Sequence, residues 1–217
     1  VADEEDRDRG PEAGLRGRGL ALGTLAVFDH VTVDGFFAGP RGETDWFQAI
    51  KKDAEYEAYT HSQAQAGGAT LVFGRTTYQM MKSYWPTPAA IASDPGMARV
   101  LNESPKIVFS KTLPDAAEDR TWKNVTLLRD IDRTDILERK KPAGAALMVL
   151  GSGTVVRQLA NLGLVDQYRL VIVPVVLGTG RSLFEGVRRT SLELLEARTF
   201  KNGVAMLTYR AGRLASE

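Results

Sequence analysis

The chain has 217 residues, 43% of them hydrophobic, with 28 Lys and Arg against 27 Asp and Glu. That is enough for one domain with a sizeable core, while a net charge of +1 gives no field to attract nucleic acid or an acidic membrane. The absence of cysteine excludes a disulfide framework, a thiol nucleophile and thiolate metal ligands, and two histidines, His30 and His61, do not make a metal site.

No apolar run approaches the ~20 residues of a membrane span, and a cytoplasmic protein is expected. Residues 1–23 are charged and glycine-rich, with little apolar surface to offset the entropy of ordering. A flexible tail ahead of one folded domain, 24–217, is expected. The stretch 24–31 is apolar and β-branched and predicts a first strand. A loop follows, Val33-Asp34-Gly35-Phe36-Phe37-Ala38-Gly39-Pro40, with turn residues at both ends. Helical composition over 51–66 stops at Gly67-Gly68. A short buried strand at 70–73 runs into Gly74-Arg75-Thr76-Thr77 and a helix towards Tyr84. Pro86 and Pro88 mark a loop, 95–103 a helix, and 106–109 a strand ending in Ser110-Lys111-Thr112. A strand at 125–128 precedes a polar helix over 130–140, with Asp130 or Asp132 as its cap.

An apolar strand at 145–150 then runs into Gly151-Ser152-Gly153-Thr154, and a helical pattern continues through Leu162. Small residues between a strand and a helix let a ligand approach the backbone, and the N–H groups of that helix suit a phosphate. The same residues also serve as a plain strand-to-helix turn, with Ser152 or Thr154 as the cap. A second apolar strand, 168–173, ends at Pro174. The stretches 191–199 and 204–210 flank Lys201-Asn202-Gly203, an Asn-Gly hairpin signal. Strands alternating with helices and closed by a hairpin predict an α/β fold, its central sheet mixed and mainly parallel, flanked by helices, with an antiparallel C-terminal edge. Ligands of such sheets bind beyond the carboxyl ends of the strands. Here three of those ends carry small, hydroxyl or basic residues, with Arg75 and Lys111 supplying charge.

Taken in order, these motifs resemble the dihydrofolate-reductase-like family. They are most similar to the reductase domain of riboflavin biosynthesis, the C-terminal domain of RibD, as a stand-alone member. The resemblance covers residues 24–210. It rests on Thr32-Val33-Asp34-Gly35-Phe36, Asp45-Trp46, Phe73-Gly74-Arg75-Thr76-Thr77-Tyr78, Val108-Phe109-Ser110-Lys111-Thr112-Leu113, Gly151-Ser152-Gly153, Leu164-Val165-Asp166, Leu177-Gly178-Thr179-Gly180 and Phe184. It implies NADPH as hydride donor. By position, Gly74, Arg75, Thr76 and Thr77 meet the pyrophosphate and ribose phosphate. Ser110 and Lys111 border the adenosine end, and Gly151, Ser152, Gly153 and Thr154 hold the pyrophosphate and the nicotinamide side. The loop 33–38 covers the nicotinamide. A homodimer is expected, with the apolar run 170–177 bordering the interface.

The resemblance places Asp34 and Asp45 towards a pteridine, pyrimidine or ribosylamino substrate, where a carboxyl binds an aminopyrimidine edge or helps protonate a C=N bond. Asp34-Gly35 is equally a turn signal, and Asp45 equally a cap for the turn before Trp46. His30 and His61 lack a partner motif that would make them acids or bases. Tyr84 and Trp85 read as core aromatics or as pocket lining. The expected activity is therefore NADPH-dependent reduction of a C=N or C=O bond in a small heterocyclic substrate. Dihydrofolate reduction proper and a non-catalytic nucleotide-binding module are the alternatives.

Overall fold

The computed structural model describes residues 23–65, 68–114, 121–141 and 146–214. Residues 1–22 of the segment expected to be a tail lie outside the described residues. Alternation of buried and half-buried side chains builds β1 (Leu25–Thr32), which runs into the short β2 (Phe36–Ala38) and a 3-10 turn (Asp45–Ala49). Helix α1 (Ala54–Gln65) leads to β3 (Thr70–Gly74) and α2 (Arg75–Tyr84). Helices α3 (Pro88–Ser93) and α4 (Pro95–Glu103) precede β4 (Lys106–Phe109) and β5 (Val125–Leu128). The chain continues through α5 (Arg133–Lys140), β6 (Leu147–Leu150), α6 (Gly153–Asn161) and β7 (Gln167–Val173). It closes with β8 (Arg181–Ser182), β9 (Thr190–Thr199) and β10 (Ala205–Leu214).

One sheet carries eight strands in the order β5-β4-β3-β6-β1-β7-β10-β9. Strands β5 to β7 of that order run parallel, and β10 and β9 turn antiparallel at the edge. This is the mixed, mainly parallel sheet with a C-terminal hairpin that the sequence predicts. Apolar clusters fill both faces. Leu25, Val27 and Val31 of β1 pack with Val155, Val156 and Leu159 of α6. Trp46, Tyr56, Val171, Val173 and Phe200 form a second cluster, and Leu71, Phe73, Tyr78, Leu101 and Trp122 a third.

Three local expectations need correction. The stretch read as a proline-marked loop contains α3, because Pro88 occupies a first-turn position where its missing N–H costs nothing. Thr87 caps that helix, its hydroxyl accepting from the Ala90 N–H at 3.2 Å. Strands β2 and β8 pair into a separate two-stranded sheet, too short to leave a periodic signal. The apolar run expected to border a subunit interface is interior up to Val173, because β7 is paired by β1 on one side and β10 on the other. The edge strands are β5 and β9, and Leu192, Leu194 and Leu195 of β9 are exposed. Of the two candidate caps for α5, Asp132 is the one used, accepting from the Asp135 N–H at 2.9 Å.

Candidate functional site

The sheet order makes β4, β3, β6 and β1 consecutive neighbours, so the three strand ends singled out from sequence stand side by side. Neighbouring strands are about 4.8 Å apart, so four consecutive ends extend over about 14 Å. A cleft of about 700 Å³ opens there, within the range of small-molecule sites. Gly74, Arg75, Thr76, Thr77, Ser110, Lys111, Gly151, Ser152, Gly153 and Thr154 all line it.

The centre of the cleft is built from two helix starts. Gly151 and Ser152 both adopt left-handed backbone, at φ 55° and 66°, which turns the chain sharply from β6 into α6. A Cβ on Gly151 would stand 3.2 Å from Thr77 Cγ2. Ser152 occupies the cap position of α6, yet its side chain makes no cap hydrogen bond. Its Oγ instead accepts from the Gly74 N–H at 2.8 Å and donates to Thr77 Oγ1 at 2.8 Å. The serine thereby ties the start of α6 to the start of α2, whose cap residue Gly74 also has no side-chain cap. Both helices present leading N–H groups without a capping side chain, which favours an anion. Gly153 meets a different constraint: a Cβ there would fall 2.5 Å from Cε1 of Phe37, the β2 aromatic that lines the cleft.

Cations gather at the β3–β4 end. Arg75 is exposed and donates from Nη1 to Thr112 Oγ1 at 2.8 Å. Lys111 forms an ion pair with Asp130 at 3.1 Å. Ser110 is buried, and its Oγ accepts from the Thr112 and Leu113 N–H groups at 3.3 and 3.1 Å. Arg129 braces the same turn by donating to the Ser110 and Leu113 carbonyls at 3.2 and 2.6 Å.

The β1 end is lined by Phe37, Phe47 and Asp29, with Arg181 of β8 beside β2. Strand β6 makes its last pair with β1 at Leu150 opposite Phe28. Asp29 is therefore the first residue of β1 beyond that pairing, at the mouth of the crevice. It is 6% exposed, and its Oδ2 has no hydrogen-bond partner. Burial pushes its carboxyl up to about 8, opposed only by a hydrogen bond from the His30 backbone. The sequence reading passed over Asp29. Its signal was a lone acid at a position alternating with Leu25, Val27 and Val31, where a strand pattern calls for an apolar side chain.

The two acids expected from sequence stand off the cleft wall. Asp34 is exposed and latches two loops together, accepting from the Thr32 hydroxyl at 2.6 Å and from the Leu177 and Gly178 N–H groups at 3.1 and 2.7 Å. The Thr32 hydroxyl, with those N–H groups, holds its carboxyl below the usual range. Asp45 is exposed at the first position of the 3-10 turn, between the cleft-lining residues Thr44 and Phe47. His30 is half-buried with the aromatic cluster of Phe28 and Phe47, 3.0 Å from the Tyr56 hydroxyl, and burial pushes it down to about 4. His61 pairs with Asp94 at 2.8 Å. Trp85 packs against the third core cluster, while Tyr84 is exposed.

A family model for the RibD C-terminal domain matches residues 24–206. Among curated relatives, the uncharacterised Bacillus subtilis protein YyaP is 29% identical over 180 residues, covering 82% of this chain and 90% of that protein. A second uncharacterised protein of that organism, YwjB, is 25% identical, covering 83% and 94%. Among solved structures, a putative riboflavin biosynthesis protein from Shewanella sp. PV-4 aligns with a TM-score of 0.64 at 20% identity, over 88% of this chain and 99% of that one. A pyrimidine reductase-like protein from Corynebacterium diphtheriae aligns at 0.56 and 15% identity, over 88% and 92%. A deaminase and 5-amino-6-(5-phosphoribosylamino)uracil reductase from Thermotoga maritima aligns at 0.58 and 14% identity, over 87% of this chain and 56% of that one. The chain belongs to the RibD C-terminal domain family.

Proposed function

We propose that this protein is an NADPH-dependent reductase of an aminopyrimidine or related ribosylamino compound, reducing a C=N or C=O bond. The observation that carries this reading is the polarity of the cleft along four adjacent strand ends. Cations and hydroxyls stand at β3 and β4, two uncapped helix starts at the centre, and aromatic rings with a buried acid at β1. A dinucleotide has the matching order of charged phosphates, diphosphate and apolar ring. The family, and the reductase-like proteins of the same fold, support the reaction class.

The residues present fit that cofactor. The left-handed turn at Gly151 and Ser152 brings the backbone close to the cleft, and the leading N–H groups of α2 and α6 suit a diphosphate. Arg75 and Lys111 suit an additional phosphate. Phe37 and Phe47 give the β1 end flat apolar walls that exclude water from a bound ring. NADPH would supply the hydride, and the chain's task is to orient the two reactants against each other.

Calorimetric titration of NADPH and NADH into the wild type and Gly153→Val tests the cofactor. NADPH is expected to bind more tightly than NADH. Gly153→Val is expected to abolish binding, because its side chain must displace the Phe37 ring, and melting curves check that the variant folds. Oxidation of NADPH in the presence of 5-amino-6-(5-phosphoribosylamino)uracil, against dihydrofolate as comparison, tests the substrate class. A folded wild type that binds neither dinucleotide overturns the reading.

A further inference from the structure

Among the described residues, Asp29 is the one buried acid on the cleft wall. We propose that it is the proton donor of the reaction, its carboxyl giving a hydrogen bond and then a proton to the nitrogen of the C=N bond being reduced. This rests on the reductase reading above.

Three observations place it there. Asp29 lies where the β1–β6 pairing ends, so a strand neighbour no longer covers that side of it. Asp29 lines the cleft, and its buried Oδ2 has no partner within the protein, although buried polar groups are ordinarily satisfied. A partner from the ligand completes the hydrogen bonding that the fold leaves open. Finally, it shares the β1 end with Phe37 and Phe47, where the apolar ring of a dinucleotide and the substrate are expected to meet.

Burial raises the carboxyl to about 8, so the group keeps its proton at neutral pH and has one to give. Among the described residues, the charged groups around the cleft are Arg75, Lys111, Arg129, Asp130, Arg157 and Arg181. The neighbouring His30, lowered to about 4, is uncharged at pH 7. In the step, the carboxyl O–H bond breaks and its proton goes to nitrogen. The carbon of the same bond gains a hydride from a reduced nicotinamide, which is oxidised as the C=N bond becomes CH–NH. Water returns a proton to the Asp29 carboxylate. Asp34 is unsuited to this role, because its oxygens already accept from three donors and its carboxyl is held below the usual range.

Asp29→Asn keeps the shape and a hydrogen-bond donor but removes the transferable proton. NADPH oxidation with 5-amino-6-(5-phosphoribosylamino)uracil is expected to lose at least about 100-fold in kcat, with KM and the NADPH dissociation constant within about threefold of wild type. The wild-type rate is expected to fall as pH rises through about 8, and the variant to lose that limb. Independently of turnover, carboxyl-carbon NMR of the ligand-free protein, assigned by the same variant, should show Asp29 titrating near 8. Titration in the ordinary carboxylate range, or a variant with wild-type kcat and an intact basic limb, overturns this role alone. A folded wild type that binds no dinucleotide overturns the reductase reading and this step together.

Discussion

Lys106 at the amino end of β4 and Asp29 near the carboxyl end of β1 are both buried, at 1% and 6% exposure, but their surroundings differ in kind. The Lys106 ammonium donates to the carbonyls of Asn102, Ser104 and Lys123 at 3.1, 2.8 and 3.1 Å, and lies 4.6 Å from the centre of the Trp122 ring. All three donors of the amine are used. Asp29 keeps one oxygen without a partner. Completed hydrogen bonding at the amino end ties α4, β4 and the chain before β5 together, whereas the Asp29 carboxyl at the other end keeps one oxygen that nothing in the protein engages. Burial alone does not distinguish a structural charge from a functional one; the state of its hydrogen bonds does.

The comparison breaks if removing the two groups has the same consequence. Lys106→Met should have the largest effect, because three part-buried carbonyls lose their donor at once. A loss on the order of 3 kcal/mol in urea unfolding is expected, with NADPH affinity of the folded fraction unchanged. A fully stable Lys106→Met protein would show that the cradle contributes no stability. Arg75→Ala, at the cleft end, should do the reverse. It is exposed, so melting is expected to be unchanged while NADPH binding weakens by about 1.5–3 kcal/mol, as for a charge-assisted phosphate contact. Equal dinucleotide titrations for wild type and variant would remove Arg75 from the phosphate site.

The pH dependence of stability sharpens the contrast further. The Asp29 carboxyl is raised from 3.8 to about 8, so the folded state holds the extra proton and stability falls as pH rises between those values. The Lys106 amine is lowered from 10.5 to about 8, so the unfolded chain holds the extra proton and stability rises over that window. Asp29→Asn should abolish the first slope and gain about 1–3 kcal/mol at pH 8, with little change at pH 4. Urea curves at pH 4, 6, 8 and 10 on the wild type and both variants check the signs. His30, lowered to about 4, contributes a rise between pH 4 and 6.5 in wild type and Asp29→Asn alike, so the test is the difference between them. An Asp29→Asn variant whose stability relative to wild type is the same at pH 4 and pH 8 would show that Asp29 is not held neutral.

What could be read from the chain was what local chemistry fixes. The bounds of α4, β4 and β5 follow from propensities and punctuation within a few residues. So do the strand ends at Gly74, Ser110 and Gly151, because small and hydroxyl residues after an apolar run are visible in one dimension. Helix α3 was missed where two prolines read as a loop, although Thr87-Pro88 is a legible cap followed by a first-turn proline. Asp34 was legible as a turn residue and equally as a substrate acid. The choice between them depended on Leu177 and Gly178, which are more than 140 positions away.

Sequence by itself therefore determined the sheet class and the three strand ends that line the cleft, since each depends on residues adjacent in the chain. Tertiary structure decided that those ends are neighbours, through the order β4-β3-β6-β1. It also redirected Ser152 from capping its own helix to bridging two, and aligned Gly153 with Phe37. The cleft-facing position of Asp29 was settled in the same way. Whether a polar group in a strand is satisfied depends on what lies beside that strand, and here β6 stops pairing one residue short of it.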